Sequence, residues 1–213
     1  MTSSHTNPLA ITALALASAN AATPAPSTPV NTLIAGIRDK DDKRRGLACQ
    51  NASSSGPDAI QPLSDLLADP DVEVARAAKR ALWRIVRHAG RPGAGKERNG
   101  VVARLIPLLA SSVHAVRRET LWMLSEIGGN EAVSPMAALL SDPALREDAR
   151  ITLHRISGPK VIAALNKALG SASADFKPNI AQSLRALGEK VEGWPSQSLV
   201  PCKATGVKAL PAP

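Results

Sequence analysis

The sequence predicts an all-α protein, a right-handed α-solenoid of about five stacked helical hairpins. Ala and Leu account for 61 of the 213 residues, and Ala costs the least free energy of any residue in a helix. Only four residues are large aromatics and none is Tyr, a composition that argues against strand-rich barrels and sandwiches. Four segments also repeat one apolar pattern at an interval of about 30 residues, which is typical of solenoids.

Residues 1–21 have the composition of a secretory signal peptide. They carry no charged side chain, and Leu9–Ala19 is an apolar run of the length expected for the hydrophobic region. Ala19-Asn20-Ala21 has the small-x-small form of a cleavage site, and residues 22–29 form a Pro-rich linker. We therefore expect an exported protein, periplasmic or secreted. The alternative is a cytoplasmic protein with a disordered leader, because this N-terminal segment lacks Lys and Arg.

Residues 30–188 hold the repeat array. Each full unit has a first helix that ends near a Leu-Leu-like pair, a short turn, and a second helix with apolar residues three and four apart. The second-helix stripes run over Val74–Ile85, Val116–Ile127, Ala149–Ile156 and Phe176–Leu187. A weaker first unit has a polar second helix, as expected of a terminal capping repeat. Because neither helix of a unit can bury its stripe alone, the units must stack.

An insertion separates the first two full units. Their last apolar residues, Ile85 and Ile127, are 42 residues apart, whereas the later units follow at 29 and 31 residues. The extra length falls in residues 89–100, where five of twelve residues are Gly or Pro. Gly and Pro at that density do not continue a helix, so this segment is predicted to be a loop.

The first full unit resembles the HEAT-repeat family, specifically the bacterial PBS-lyase HEAT-like repeats. Residues 59–74 read Ala-Ile-x-Pro-Leu-x-x-Leu-Leu-x-Asp-x-Asp-x-x-Val, and degenerate copies occupy residues 105–116 and 132–147. The resemblance implies a solenoid whose second helices line a concave surface. It is specific for the fold and says little about function.

The same resemblance implies a ladder of salt bridges between repeats. In the family, an Arg after the valine of the second helix pairs with the turn Asp of a neighbouring repeat. Arg117 occupies this position after Val116, whereas Ala75 stands there after Val74. The ladder is therefore expected to be incomplete.

No catalytic site, metal site or cofactor is predicted. The HEAT-like di-iron hydroxylases bind metal through His-Glu dipeptides, and no histidine here is followed by Glu (His5, His88, His114, His154). A disulfide between Cys49 and Cys202 requires export and a C-terminal tail that reaches the first repeat. No apolar run has the length of a membrane-spanning helix.

The periodicity stops after Gly188, so residues 189–213 are predicted to be a tail. The apolar face at each open end of a solenoid has to be shielded from water. Trp194 is the large apolar side chain available to cap the last hairpin. Anchoring of a partner is the alternative role for Trp194. Beyond Ser198 the tail is expected to be disordered.

Positive charge is concentrated on one predicted helix. Residues 76–104 hold nine basic residues and one acidic residue, a local net charge of +8, equal to the net charge of the whole chain. Four arginines recur there every three or four residues and share one helix face with Trp83 beside them. The predicted binding residues are these five together with two on the next second helix: Arg76, Arg80, Trp83, Arg84, Arg87, Arg117 and Trp122.

A non-enzymatic scaffold for an acidic protein partner is the function that this surface favours. Arginine suits that role because its planar fork donates two hydrogen bonds to one carboxylate. The alternative is non-specific binding of nucleic acid or another polyanion. An activity of the bilin-lyase type is a third possibility, since some relatives of these repeats are lyases.

Overall fold

A computed structural model describes residues 29–195 and shows an all-α solenoid of five helical hairpins, which confirms the predicted fold class. The first helices are α1 (Pro29–Ile37), α3 (Ile60–Asp65), α5 (Gly95–Leu105), α7 (Asn130–Ala138) and α9 (Pro159–Ser171). The second helices are α2 (Asp42–Asn51), α4 (Val72–Ala89), α6 (His114–Ile127), α8 (Arg146–Ile156) and α10 (Lys177–Ala186). Short 3₁₀ turns occupy Ala52–Ser55, Pro57–Ala59, Leu66–Ala68, Ile106–Ala110 and Leu139–Ser141. The part of the chain described contains no strand.

Two layers of helices enclose one apolar core. The second helices α2, α4, α6, α8 and α10 each contact the next in order, and α3 contacts α5 as α7 contacts α9. The predicted apolar stripes point into this core: Leu82, Leu124 and Leu153 are fully buried. The first unit differs as expected, because no residue of its second helix, α2, is buried. None of the helices within residues 29–195 is both long and apolar enough to cross a membrane.

Aspartates in the turns cap the second helices of the first two repeats. The side chain of Asp71 accepts a hydrogen bond from the backbone N–H of Glu73 at 2.9 Å and caps α4. Asp41 caps α2 in the same way and accepts from the backbone N–H groups of Lys43 and Arg44 at 2.8 and 3.0 Å. Such a cap contributes about 1 kcal/mol, because it satisfies an N–H that the helix leaves unpaired. The polar turns of the repeat pattern therefore have a direct structural role.

Within residues 29–195, the insertion is the place where the predicted local structure is wrong. Only residues 90–94 form a loop, and residues 95–100 are the first turns of α5. Val101, Val102 and Leu105 are buried, and this apolar stripe extends the helix back toward its glycines. Gly95 is the first residue of α5 and lies outside the helix interior, where glycine is destabilising, whereas Gly100 lies inside the helix and packs closely on Pro57, 3.1 Å from the place of a Cβ atom. The extra residues therefore lengthen a first helix.

Replacement of two glycines by alanine should change the free energy of unfolding in opposite directions. Gly128 joins α6 to α7, and a Cβ atom there would overlap the backbone carbonyl of Leu124, so Gly128→Ala should cost about 1 to 3 kcal/mol. Gly46 lies inside α2 with open space around it, so Gly46→Ala should raise the free energy of unfolding by about 0.5 to 1 kcal/mol. Urea unfolding of both variants measures the two shifts. Equal shifts of the same sign would contradict the packing at Gly128.

Candidate functional site

A groove of about 960 Å³ lies along the exposed face of α4. Almost all of its lining comes from this one helix, because residues three and four apart share a helix face. The α4 groove is lined by Ser53, Arg76, Lys79, Arg80, Trp83, Arg84, Arg87, His88 and Arg91. The structure thus brings together five of the seven residues predicted to bind (Arg76, Arg80, Trp83, Arg84 and Arg87).

Cations outnumber carboxylates in the α4 groove. Six Arg and Lys side chains line it, and three carboxylates bind members of that set. Glu73 pairs with Arg76 at 2.8 Å, and Glu119 pairs with Lys79 at 2.8 Å. Arg80 and Arg84 form no salt bridge with any residue of the described chain.

Trp83 forms a half-buried wall of the groove. Its indole Nε1–H donates a hydrogen bond to Glu119 on α6, and the Arg87 guanidinium carbon lies 5.2 Å from the ring centroid. The indole therefore links α4 to α6 through its polar edge, while Arg87 covers its face. Arg87 has no carboxylate partner in the described chain, so three groove arginines are uncompensated.

A third ion pair lies at the end of the groove next to the loop after α4. Arg91 donates two hydrogen bonds to Glu97 of α5, at 2.5 and 2.8 Å. These bonds hold the pKa of Glu97 below its usual range and raise the pKa of Arg91. His88 Nε2 lies 3.8 Å from the same carboxylate. Since the pKa of Glu97 is lowered, this carboxylate stays charged to a more acidic pH than a free Glu.

Arg117 and Trp122 do not line the α4 groove, which corrects their predicted place in one surface. Arg117 lies 2.8 Å from Asp142 in the next repeat, and its side chain is only 23% exposed. Trp122 is half-buried and donates its indole N–H to Asp148 on α8 at 2.9 Å. Both side chains are therefore used to join the third repeat to the fourth.

Salt bridges between turns connect most neighbouring repeats. Arg117 pairs with Asp142, as the family resemblance implies, and Arg146 pairs in the same way with Asp175 of the last repeat. Hydrogen bonds, from the backbone N–H of Ala144 first and then from Arg117, lower the pKa of Asp142. Arg38 also pairs with Asp69, at 3.0 Å, across the first two repeats.

The ladder is interrupted between the second and third repeats. Ala75 occupies the position of Arg117 there, and Ser111 stands in the turn where the next repeat has Asp142. Both members of the pair are thus replaced at the same interface. Other polar contacts join these two repeats: Lys79 and Trp83 of α4 both contact Glu119 of α6, and Arg104 of α5 pairs with Asp58.

A second set of contacts between repeats was missed by the sequence analysis. Glu119 on α6 accepts the Trp83 indole N–H and pairs with Lys79. Asp148 on α8 accepts the Trp122 indole N–H and lies 3.4 Å from Arg118. The two carboxylates are 29 residues apart, one repeat period, and that recurrence is the signal by which the sequence could have identified them.

The remaining predicted features have ordinary surroundings. Cys49 is half-buried, its thiol donates to the Ala77 carbonyl at 3.4 Å, and burial raises its pKa. Cys202 lies outside the described residues. Within residues 29–195, no three His, Cys, Asp or Glu side chains are placed to hold a metal ion.

The start of the C-terminal tail lies against the last hairpin. Lys177 Nζ is 5.6 Å from the centroid of the Trp194 ring, and Arg185 donates to the carbonyls of Val191 and Gly193. Trp194 remains 37% exposed. The leader, the linker up to residue 28 and the tail beyond Pro195 lie outside the described residues.

Comparison with known proteins yields structural likeness only. No family model matches the sequence, and no curated protein is significantly similar to it. A crystal structure of computationally designed armadillo repeat proteins for modular peptide recognition is 21% identical, over 73% of this chain and 80% of that one, with a TM-score of 0.42. An engineered protein solved by the Northeast Structural Genomics Consortium is 24% identical, over 74% and 78%, with a TM-score of 0.40. A designed armadillo repeat protein in complex with the peptide (KR)4 is 22% identical, over 76% and 87%, with a TM-score of 0.38.

Proposed function

We propose that this protein is a non-enzymatic scaffold that binds an acidic segment of a partner protein in the α4 groove. The observation that carries the proposal is the set of three arginines, Arg80, Arg84 and Arg87, that have no carboxylate partner in the described chain. Successive arginines one turn apart repel each other by about 0.7 kcal/mol in water at a separation of about 6 Å. A bound carboxylate relieves that repulsion and gains charge-assisted hydrogen bonds.

The surroundings of Trp83 favour a protein ligand over a single-stranded nucleic acid. Proteins that bind single strands without sequence preference stack the bases on open aromatic rings. Trp83 is the only Trp, Tyr or Phe among the described residues that line the groove, its indole N–H is bonded to Glu119, and Arg87 lies over its ring. The groove therefore offers charge without an open stacking platform.

The same proposal includes a kinship with HEAT-like repeats and export from the cytoplasm. The Arg–Asp pairs between adjacent repeats support the kinship, since the family pattern implied the pair made by Arg117. Export rests on the signal-like residues 1–21. Intact mass of the natively produced protein tests it: a mature chain starting near Ala22 is expected, and an uncleaved cytoplasmic chain would contradict it.

Binding of charged ligands to the full chain tests the proposed function. We expect a Glu-rich peptide to bind, a Lys-rich peptide of equal length not to bind, and a single-stranded oligonucleotide of similar charge to bind more weakly than the Glu-rich peptide. Fluorescence anisotropy at low and physiological salt measures all three affinities. Tighter binding of the oligonucleotide, with a steep loss of affinity as salt rises, would support the polyanion alternative instead.

A further inference from the structure

The uncompensated charge of the α4 groove follows the axis of a single helix. Arg80, Arg84 and Arg87 succeed one another along α4 with rises of about 6 and 4.5 Å. Arg76 and Arg91 lie at the two ends of this row, and each already pairs with a carboxylate of the chain. Arg80, Arg84 and Arg87 therefore form a row of three unpaired cations between two arginines that are paired with carboxylates.

The row does not continue onto the next repeat. Arg117 and Arg118, on the first turn of α6, pair with Asp142 and Asp148. Apart from Ser53 and Arg91, every residue that lines the groove belongs to α4. An anionic chain that ran from repeat to repeat would leave this row after one contact, whereas a chain parallel to α4 meets all three arginines.

We propose that the ligand is a short extended acidic segment that lies parallel to α4, with carboxylates at positions i, i+2 and i+4. This inference rests on the proposed function and specifies its ligand. Alternate side chains of an extended chain share one face and repeat every 6.6 Å or so. Three of them span about 13 Å, close to the rise of about 10 Å from Arg80 to Arg87, and the flexible arginine stems make up the difference.

Residues 1–28 and 196–213 do not supply the ligand. The two segments of this chain outside the described structure, residues 1–28 and 196–213, contain no Asp or Glu. Neither segment supplies the row of carboxylates that the three arginines require.

Two seven-residue peptides of identical composition test the spacing. The alternating peptide is Ser-Glu-Ser-Glu-Ser-Glu-Ser, and the block peptide is Ser-Ser-Glu-Glu-Glu-Ser-Ser, both with blocked ends. Titration of the full chain should show the alternating peptide to bind at least about fivefold more tightly, because only its carboxylates reach all three arginines at once. Arg84→Gln, which removes the middle arginine, should abolish this preference, whereas Lys167→Gln on α9 should leave it unchanged.

The outcomes separate this inference from the function on which it rests. Equal affinity of the two peptides would overturn the extended register and leave an acidic partner in place. Failure of both to bind would contradict the proposed function itself. A fourteen-residue alternating peptide should bind no more than about two- to threefold more tightly than the seven-residue one, because it only adds further registers in which the same three arginines can be contacted. A tenfold or larger gain would show that the ligand crosses several repeats.

Discussion

Replacement of Phe176 by Ala is expected to lower the free energy of unfolding by about 3 to 5 kcal/mol. Phe176 is 1% exposed and lies immediately before α10, where its ring fills the junction between the last two repeats. The Arg146 guanidinium carbon lies 4.8 Å from the ring centroid, so the variant loses a cation–π contact as well as apolar burial. The loss should be concentrated in the fifth hairpin, because each solenoid repeat contacts only its neighbours.

Chemical denaturation and hydrogen exchange measure this effect. The backbone amides of residues 159–186 should lose their protection from hydrogen exchange first, while those of α4 and α6 stay protected. Phe176→Leu is the matched control and should cost less than about 1.5 kcal/mol, since Leu refills most of the space. A cost below about 1 kcal/mol for Phe176→Ala would contradict the packing described for the last repeat.

Reversal of two groove arginines should abolish binding without unfolding the array. Arg80→Glu combined with Arg84→Glu replaces two attractive contacts with two repulsive ones, and affinity for an acidic peptide should fall at least about 100-fold. Both side chains are exposed and unpaired with carboxylates, so the free energy of unfolding should change by less than about 0.5 kcal/mol.

A matched reversal on another face distinguishes a specific groove from the net charge of the molecule. Lys160 and Lys167 are exposed on α9, and the double change to Glu there alters the net charge by the same amount. This control should weaken binding by no more than about threefold at physiological salt, because screening removes most long-range attraction. Equal losses in the two double variants would mean that net charge alone attracts the ligand.

The repeat fold was predictable because its signals are local. Leu82, Leu124 and Leu153 each belong to an apolar stripe whose members lie three and four residues apart on one second helix, and all three are buried. Residues 95–100 were predicted to be a loop because they are rich in glycine, but the apolar stripe of Val101, Val102 and Leu105 indicates a helix. Glycine is unfavourable inside a helix, but Gly95 is the first residue of α5, and Gly100 inside the helix packs closely on Pro57, a contact that the local density of glycine does not reveal.

The candidate site was predictable only where it lies on one helix. The spacing of Arg76, Arg80, Arg84 and Arg87 places them on one face of α4 without any knowledge of the neighbours. The contacts of Arg117 and Trp122 are made with carboxylates that lie 25 and 26 residues further along the chain. The periodicity of a single helix contains no information on which carboxylate of the next repeat it meets, so these two residues were assigned to the wrong surface.

Arginine side-chain NMR during titration with an acidic peptide tests the central claim most directly. The Nε–Hε resonances of Arg80, Arg84 and Arg87 should shift together and saturate at one affinity. Those of Arg117 and Arg146, which already pair with Asp142 and Asp175, should stay in place. Shifts spread over all exposed cations, or confined to residues outside the α4 groove, would contradict the account.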